Sequence, residues 1–312
     1  MKSVIIVRNV SVIYPNGTKA LKNVSLEVAS KDNIFCLMGP NGAGKTTLVK
    51  VLSTQLRPAK GYVEVLGYDL YEFPEKIRKE IAILPQEGRP LSEATPWEFV
   101  YWLLIARGWS FKEAKQRTIT VLKEFDLWKY KDKPCMILSG GTKRRVLISA
   151  AVAAEASLTF LDEPTLGLDP YSRRNTWKLL LQLKNESFFF ITTNLGLEAE
   201  MLASTVGILQ EGTLTALGQT NTLKENLPYK YKLILDLNSP SYERIASREN
   251  TLIMEMGDKM IIYAKNRDIL ENIVEEISLN SSEISISVSP TDLEDYFVLS
   301  GRINTGGGNY EK

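Results

Sequence analysis

The sequence contains no histidine, and that absence removes whole classes of chemistry at once. Ser-His-Asp hydrolysis, H-E-x-x-H zinc sites and imidazole general bases all need the ring. Proton transfer must fall to a carboxylate, a lysine, a tyrosine or water. Cysteine is scarce: Cys36 and Cys135 are far apart and form no C-x-x-C pair, so neither disulfides nor a thiolate metal site is indicated. Cys36 lies within an apolar run and reads as a small buried hydrophobe, and a reducing cytoplasm is the expected compartment. No excess of charge exists, since 38 Lys+Arg against 37 Asp+Glu leave a net +1. No overall field draws the chain onto nucleic acid or anionic lipid, and no nucleic-acid partner is expected. Long apolar runs are missing as well. Trp97 to Ala106 and Ile148 to Ala154 fall short of the roughly 20 residues a spanning helix needs. The opening MKSVIIVRNVSVIY alternates like a strand and does not read as a signal peptide. Any membrane role is expected to come through another subunit.

What is present is an ordinary globular composition, 44% hydrophobic and 24% charged over 312 residues. That is enough for one large domain and a smaller companion. The chain is organised around GPNGAGKTT, Gly39 to Thr47. It follows the apolar run Ile34-Phe35-Cys36-Leu37-Met38 and precedes Leu48 to Leu52, which reads as helix. This is the strand–loop–helix context that a G-x-x-x-x-G-K-[ST] phosphate loop requires. Its glycines let successive backbone N–H groups turn inward as an anion nest, and the helix start adds unpaired N–H groups. Lys45 would reach the β- and γ-phosphates, and the Thr46 hydroxyl would ligate Mg²⁺.

Taken in order, Val4–Tyr14 and Val24–Val28 read as strands around a Pro15-Asn16-Gly17 turn. Gly61–Val65 and Ile81–Leu84 are short strands, with a helix at Pro74–Glu80 between them. A helical block follows, over Pro96–Arg107 and Phe111–Leu127, then Gly141–Glu155. Strands at Leu158–Leu161 and Phe188–Ile191 flank a helix at Pro170–Leu183. Strands alternating with helices imply a mostly parallel α/β sheet. Past Leu227-Pro228 the character changes. Strands at Lys230–Leu237, Thr251–Met256, Met260–Ala264 and Glu283–Val288, with a helix at Asn266–Glu276, suggest a small α+β appendix over 228–300. The tail around Thr305 to Asn309 is expected to be disordered. No repeat of 20–50 residues is visible.

Two further constellations carry chemistry. Leu158 to Leu161 ends in Asp162-Glu163-Pro164, which by itself also reads as a capping turn. In a parallel sheet ligands lie beyond the carboxyl ends of the strands. Asp162 would therefore meet Mg²⁺ through water, and Glu163 would polarise an attacking water. Leu138-Ser139-Gly140-Gly141-Thr142 opens a helix carrying Lys143, Arg144 and Arg145. It reads either as an N-cap or as a second anion site.

With L-S-G-G in place, the chain resembles the nucleotide-binding subunit of an ATP-binding cassette (ABC) transporter over about residues 1–225. The resemblance implies an α/β P-loop NTPase core with an N-terminal antiparallel β subdomain. It also implies a helical subdomain at about 88–140, within a nucleotide-binding domain of 1–227. Gly39, Asn41, Gly42, Ala43, Gly44, Lys45, Thr46 and Thr47 match the Walker A loop. Tyr14 matches the aromatic that stacks on adenine, and Gln86 the glutamine loop that touches Mg²⁺. Asp162 matches the Walker B aspartate and Glu163 the catalytic base. Ser139, Gly140 and Gly141 match the signature that faces a partner's ATP. Asp169, in Gly167-Leu168-Asp169, matches the loop crossing the dimer interface.

The implied machine is an ATPase. Two cassettes clamp ATP and Mg²⁺, and separate transmembrane permease subunits are driven from the inner face of the cell membrane. Two positions depart from the family: Thr142 stands for the usual glutamine, and Asn194 for the switch histidine. Asparagine donates a neutral hydrogen bond but carries no charge and shuttles no proton. The segment Ser289-Pro290-Thr291-Asp292-Leu293-Glu294-Asp295-Tyr296-Phe297 resembles the P-[ST]-L-E-D-x-F ending of drug- and polysaccharide-type exporters. Asp292 is inserted, and the segment also reads as a helix capped by Ser289 or Thr291. Two other readings remain: a slow or non-catalytic partner cassette, and a non-transport ABC ATPase.

Overall fold

The computed structural model describes residues 3–236, 250–280 and 286–303. Contacts divide the chain after Gln219 into two compact units, so the division comes ahead of the change in character at Leu227-Pro228.

The first unit holds two sheets. An antiparallel sheet has the order β2-β1-β4-β5, built from β1 (Ser3–Ile13), β2 (Lys19–Ala29), β4 (Lys60–Val65) and β5 (Tyr68–Asp69). The second is six-stranded, β10-β9-β3-β8-β7-β6. Its strands are β3 (Ile34–Met38), β6 (Ile81–Leu84), β7 (Leu158–Asp162), β8 (Phe188–Thr193), β9 (Thr205–Gln210) and β10 (Thr213–Gln219). All pairings in it are parallel except the β9–β10 hairpin. Every residue of β3, β7 and β8 is buried, as continuous apolar runs require when both faces of a parallel sheet are covered. Phe190 anchors the interior, its ring 5.2 Å from that of Phe35 and 5.5 Å from that of Phe160.

Register decides where the chemistry emerges. Met38 lies beside Thr193, and Asp162 beside Thr192. The residues that follow β3, β7 and β8 therefore leave the sheet at one edge: Gly39, Glu163 and Asn194.

The helical block consists of α3 (Pro96–Ala106), α4 (Phe111–Glu124) and α5 (Gly140–Ala153). Capping boxes start the first two, Thr95 with Glu98 and Ser110 with Glu113. The helix expected to run to Leu127 stops at Glu124. There Asp126 turns to φ +51°, and Leu127 N–H bonds Leu122 O at 2.7 Å while Asp126 N–H bonds Lys123 O at 3.1 Å. That pair of bonds is the Schellman closure, with aspartate in the left-handed position. No element was expected between Ile191 and Leu227, yet α7 (Gly196–Leu202), β9, β10 and α8 (Thr220–Glu225) lie there. Among the described residues, no helix is long and apolar enough to cross a membrane.

The second unit is an antiparallel sheet, β12-β13-β11-β14. Its strands are β11 (Tyr231–Asp236), β12 (Thr251–Met256), β13 (Lys259–Ala264) and β14 (Ile286–Pro290). Leu270 and Ile273 of α9 (Arg267–Asn280) pack on Leu233, Leu235, Met260 and Ile262. The part of the last strand expected at residues 283–285 and the expected tail from Thr305 lie outside the described residues. The closing motif needs a correction. Ser289 belongs to β14, and the Thr291 hydroxyl donates to Tyr229 O at 3.0 Å. The turn into α10 (Asp295–Ile303) is made instead by the inserted Asp292, whose Oδ1 accepts from Glu294 N–H and Asp295 N–H at 2.9 and 3.2 Å.

The other oxygen of Asp292 accepts from Lys232 Nζ at 2.7 Å, and Asp295 takes a second bond from the same ammonium at 2.9 Å. Burial pulls the Lys232 pKa down, but the two aspartates outweigh it and hold it above the usual range. Burial likewise pushes Asp292 up, while the bond from Lys232 wins and holds it low. A lowered aspartate stabilises the fold above its unfolded pKa and loses that effect as pH falls through its folded one. Replacing Asp292 with asparagine is therefore expected to lower the thermal unfolding midpoint at pH 7. The deficit should shrink as pH drops below the ordinary aspartate range, where the wild type loses the same interaction. Thermal unfolding by circular dichroism across pH 2.5–7 measures this; a deficit constant with pH would contradict it.

Candidate functional site

The loop Gly39–Gly44 joins β3 to α1 (Lys45–Leu52) and is held in place by its neighbours. Gly39 N–H bonds Thr193 O at 3.2 Å, and Gly212 N–H bonds Ala43 O at 2.9 Å. Gly44, the N-cap of α1, has φ +104°, and a Cβ there would lie 2.5 Å from Ala20 O. Only glycine satisfies both the left-handed backbone and that approach. The result is a cavity of 560 Å³ bounded by Tyr14, Asn41, Gly42, Ala43, Gly44, Lys45, Thr46, Thr47, Gln86 and Glu163. Thr18, Lys19, Ala20, Lys22, Glu211 and Gly212, which the sequence did not single out, complete its wall.

Inside it, four expected residues form one chain of contacts. Lys45 Nζ donates to Gly39 O at 2.7 Å and Pro40 O at 3.1 Å, and pairs with Glu163 Oε1 at 3.2 Å. Gln86 Nε2 donates to the other oxygen of Glu163 at 3.2 Å, and its Oε1 accepts from the Thr46 hydroxyl at 3.1 Å. Asp162 is buried, and Thr192 Oγ1 donates to its Oδ1. Glu163 has φ +50°, a left-handed turn that swings its side chain off the end of β7. Asn194 Nδ2 reaches Asn41 Oδ1 at 3.4 Å, placing it beside the loop. Tyr14 sits at the cavity wall with its hydroxyl 3.2 Å from Thr47 Oγ1.

Seven expected residues do not line this cavity. Gly39, Asp162 and Asn194 reach its edge through the bonds just given, whereas Ser139, Gly140, Gly141 and Asp169 lie on other elements. Ser139 caps α5, its Oγ accepting from Thr142 N–H at 3.2 Å and lying 2.9 Å from the Thr142 hydroxyl. Asp169 caps α6 (Pro170–Leu183), and hydrogen bonds from Ser172 and then Tyr171 hold its carboxylate below the usual range. The basic trio after Thr142 divides among different partners. Lys143 bonds Met136 O, Arg145 bonds Phe125 O, and Arg144 is buried against backbone carbonyls.

The oxygens at Thr46 are hard ones, its own hydroxyl and the Gln86 amide carbonyl, and Asp162 adds a carboxylate at the end of β7. That set suits Mg²⁺ rather than a softer metal. A glycine loop, a helix N-terminus and a lysine at one end of the cavity suit a polyphosphate.

Comparison with known proteins agrees. The ABC transporter family matches residues 21–166. The daunorubicin/doxorubicin resistance ATP-binding protein DrrA of Streptomyces peucetius is 30% identical over 294 residues, covering 91% of this chain and 88% of that protein.

The chain belongs to the ATP-binding proteins of ABC transporters.

A putative ABC transporter ATP-binding protein of Methanopyrus kandleri, MK0182, is 38% identical over 208 residues, 66% of this chain and 77% of that protein. Among solved structures, the ATP-binding cassette MJ0796, dimeric in a post-hydrolysis state with ADP and phosphate, matches with a TM-score of 0.64. Identity is 25%, over 69% of this chain and 98% of that one. The ABC cassette described here is thus an ATP-binding ATPase of α/β fold, with an antiparallel β subdomain beside the parallel core.

Gly44→Ala would force a methyl group onto Ala20 O and a left-handed backbone together. It is expected to weaken binding of a fluorescent ATP analogue at least tenfold, with far-ultraviolet circular dichroism retained. Wild-type affinity in the variant would mean that the loop geometry does not govern the nucleotide.

Proposed function

We propose that this cassette is the hydrolytic subunit of an exporter, working as one half of an ATP-clamping dimer on separate permease subunits. The observation that carries the proposal is the Thr46–Gln86–Glu163–Lys45 chain of contacts, because it brings a phosphate-binding lysine, a hydroxyl, an amide and a carboxylate base together in one cavity.

Tyr14 would flank the base of a bound nucleotide, and the N–H groups of Asn41 to Thr47 would cradle its phosphates. Thr46, Gln86 and Asp162 would hold Mg²⁺, which neutralises phosphate charge when bound. Lys45 now leans on Glu163; phosphate oxygens would draw the ammonium away and release that carboxylate to orient the attacking water. Entry of the substrate thereby arms the base. Asn194, beside Asn41, would donate to a terminal phosphate oxygen. Ser139, Gly140 and Gly141 lie apart from this cavity, which fits a role against the ATP of a second cassette, with Asp169 at the shared boundary.

For the permease, a 390 Å³ groove between β6 and helices α3 and α5 offers Leu84, Phe99, Leu103, Leu147 and Ala151 to a short helix. Pro85, directly before Gln86, also lines it, so a load there is felt at the site. The export direction is supported by the drug-resistance name of DrrA and by the closing motif around Asp292. A second reading, a slow or non-catalytic partner in a heterodimer, is favoured by Asn194 and Thr142.

Glu163→Gln is expected to trap an ATP-bound dimer in size-exclusion chromatography and to abolish phosphate release. If it stays monomeric with ATP while the wild type is active, the clamp is wrong. Asn194→His is expected to raise kcat about fivefold, since a charge-assisted bond is roughly twice as strong as a neutral one. Steady-state turnover decides this, with Lys45→Ala as the inactive control. No gain would show that the asparagine is not what limits the rate.

A further inference from the structure

Arg144 lies in the first turns of α5, five residues after the Ser139 cap, and is 7% exposed. A guanidinium offers five N–H donors in a fixed planar fork. Here each has a backbone carbonyl. Nε donates to Pro164 O at 3.0 Å. Nη1 donates to Pro85 O at 3.1 Å and Gln86 O at 2.9 Å. Nη2 donates to Asp162 O and Glu163 O, both at 2.7 Å. No carboxylate is needed to explain its burial. The acceptors belong to the two segments that carry the glutamine and the hydrolytic glutamate.

Pro85-Gln86 follows the end of β6 and Glu163-Pro164 the end of β7, where the ladder stops. Turn N–H groups reach only two of the five carbonyls, Gly88 N–H bonding Pro85 O at 3.2 Å and Leu166 N–H bonding Glu163 O at 3.1 Å, and Arg144 reaches all five. Glu163 also sits at φ +50°, a conformation unfavourable for a non-glycine residue that persists only when its surroundings fix it. Its N–H is held by Thr192, at 3.0 Å from Oγ1 and 3.1 Å from the carbonyl oxygen. Its carbonyl accepts from Arg144 Nη2 at 2.7 Å and from Leu166 N–H at 3.1 Å. The two grips pin the peptide from opposite ends.

We infer that Arg144 is a positioning residue for hydrolysis: its five-point clasp fixes the Gln86 and Glu163 backbones so that their side chains meet between Thr46 and Lys45. This rests on the reading of Gln86 and Glu163 as acting groups. It adds that the helix bearing the signature is tied to both of them through one side chain. The phosphate loop is not among the clasped segments, so binding and turnover should separate. Lysine cannot replace the fork, because one ammonium has three donors on a single nitrogen and cannot span both segments.

The test is Arg144→Lys in the full chain, which keeps a cation in the buried site, with Arg144→Gln as a neutral second variant. Expected are a kcat at least tenfold below wild type and a KM for ATP within about threefold. Combined with Gln86→Ala, the loss should fall short of the product of the single losses, because both act through the same contact; a purely structural role gives independent losses. A kcat within twofold of wild type in both variants overturns the inference. So does a KM that rises as much as kcat falls, or full multiplicativity with Gln86→Ala. Glu163→Gln separates the two levels. If it is inactive while Arg144→Lys turns over normally, only the inference fails; if it turns over normally, the role of Glu163 falls and the inference with it.

Discussion

Lys45 and Glu163 meet at 3.2 Å, both almost wholly buried, and much of the first unit is arranged around making that meeting possible. Removing either partner of such a pair strands the other charge in a poorly solvated place, at a cost of roughly 3–5 kcal/mol. The pair is bearable only because its neighbours complete it. Two loop carbonyls, Gly39 O and Pro40 O, take the remaining protons of the ammonium, and Gln86 serves the second carboxylate oxygen. Each of those neighbours sits at the end of a strand in the parallel sheet or in the turn beyond it. A polyphosphate offers the lysine a denser set of oxygens than one carboxylate does. A bound polyphosphate would therefore compete with Glu163 for the ammonium.

Much of this was legible in the sequence, for identifiable reasons. The apolar runs at Ile34–Met38, Leu158–Leu161 and Phe188–Ile191 cannot be amphipathic, so they had to be strands covered on both faces. Pro74, Pro96 and Pro170 mark helix starts because proline costs nothing there. Gly39–Thr47 and Asp162-Glu163 declare their chemistry by composition and by following strands. That they come within hydrogen-bond reach of one another is a consequence of parallel register, which a linear reading infers only through the fold class.

Other features were hidden in the line of letters. Arg144 stands between two other cations and resembles part of an exposed basic face. Nothing local says that it alone turns inward, because its acceptors come from residues 18 to 59 positions away. Asp126 ends α4 in a left-handed turn that glycine or asparagine would have advertised. Asp292 looked like a disturbance of a motif, yet it makes the turn into α10 and binds Lys232 on a strand far earlier in the chain. The β9–β10 hairpin was missed although Glu211-Gly212 marks its turn, with both residues at positive φ.

The shared edge of the six-stranded sheet has a consequence for what this chain can tolerate. Side chains along a strand alternate in direction, so adding or deleting a single residue within β7 would trade the places of Asp162 and its neighbours against Thr192. The carboxylates would then point into the wrong layers although every residue were still present. An insertion between α3 and α4 carries no such penalty. The site thus fixes, to the single residue, the lengths of the three short strands that end at it.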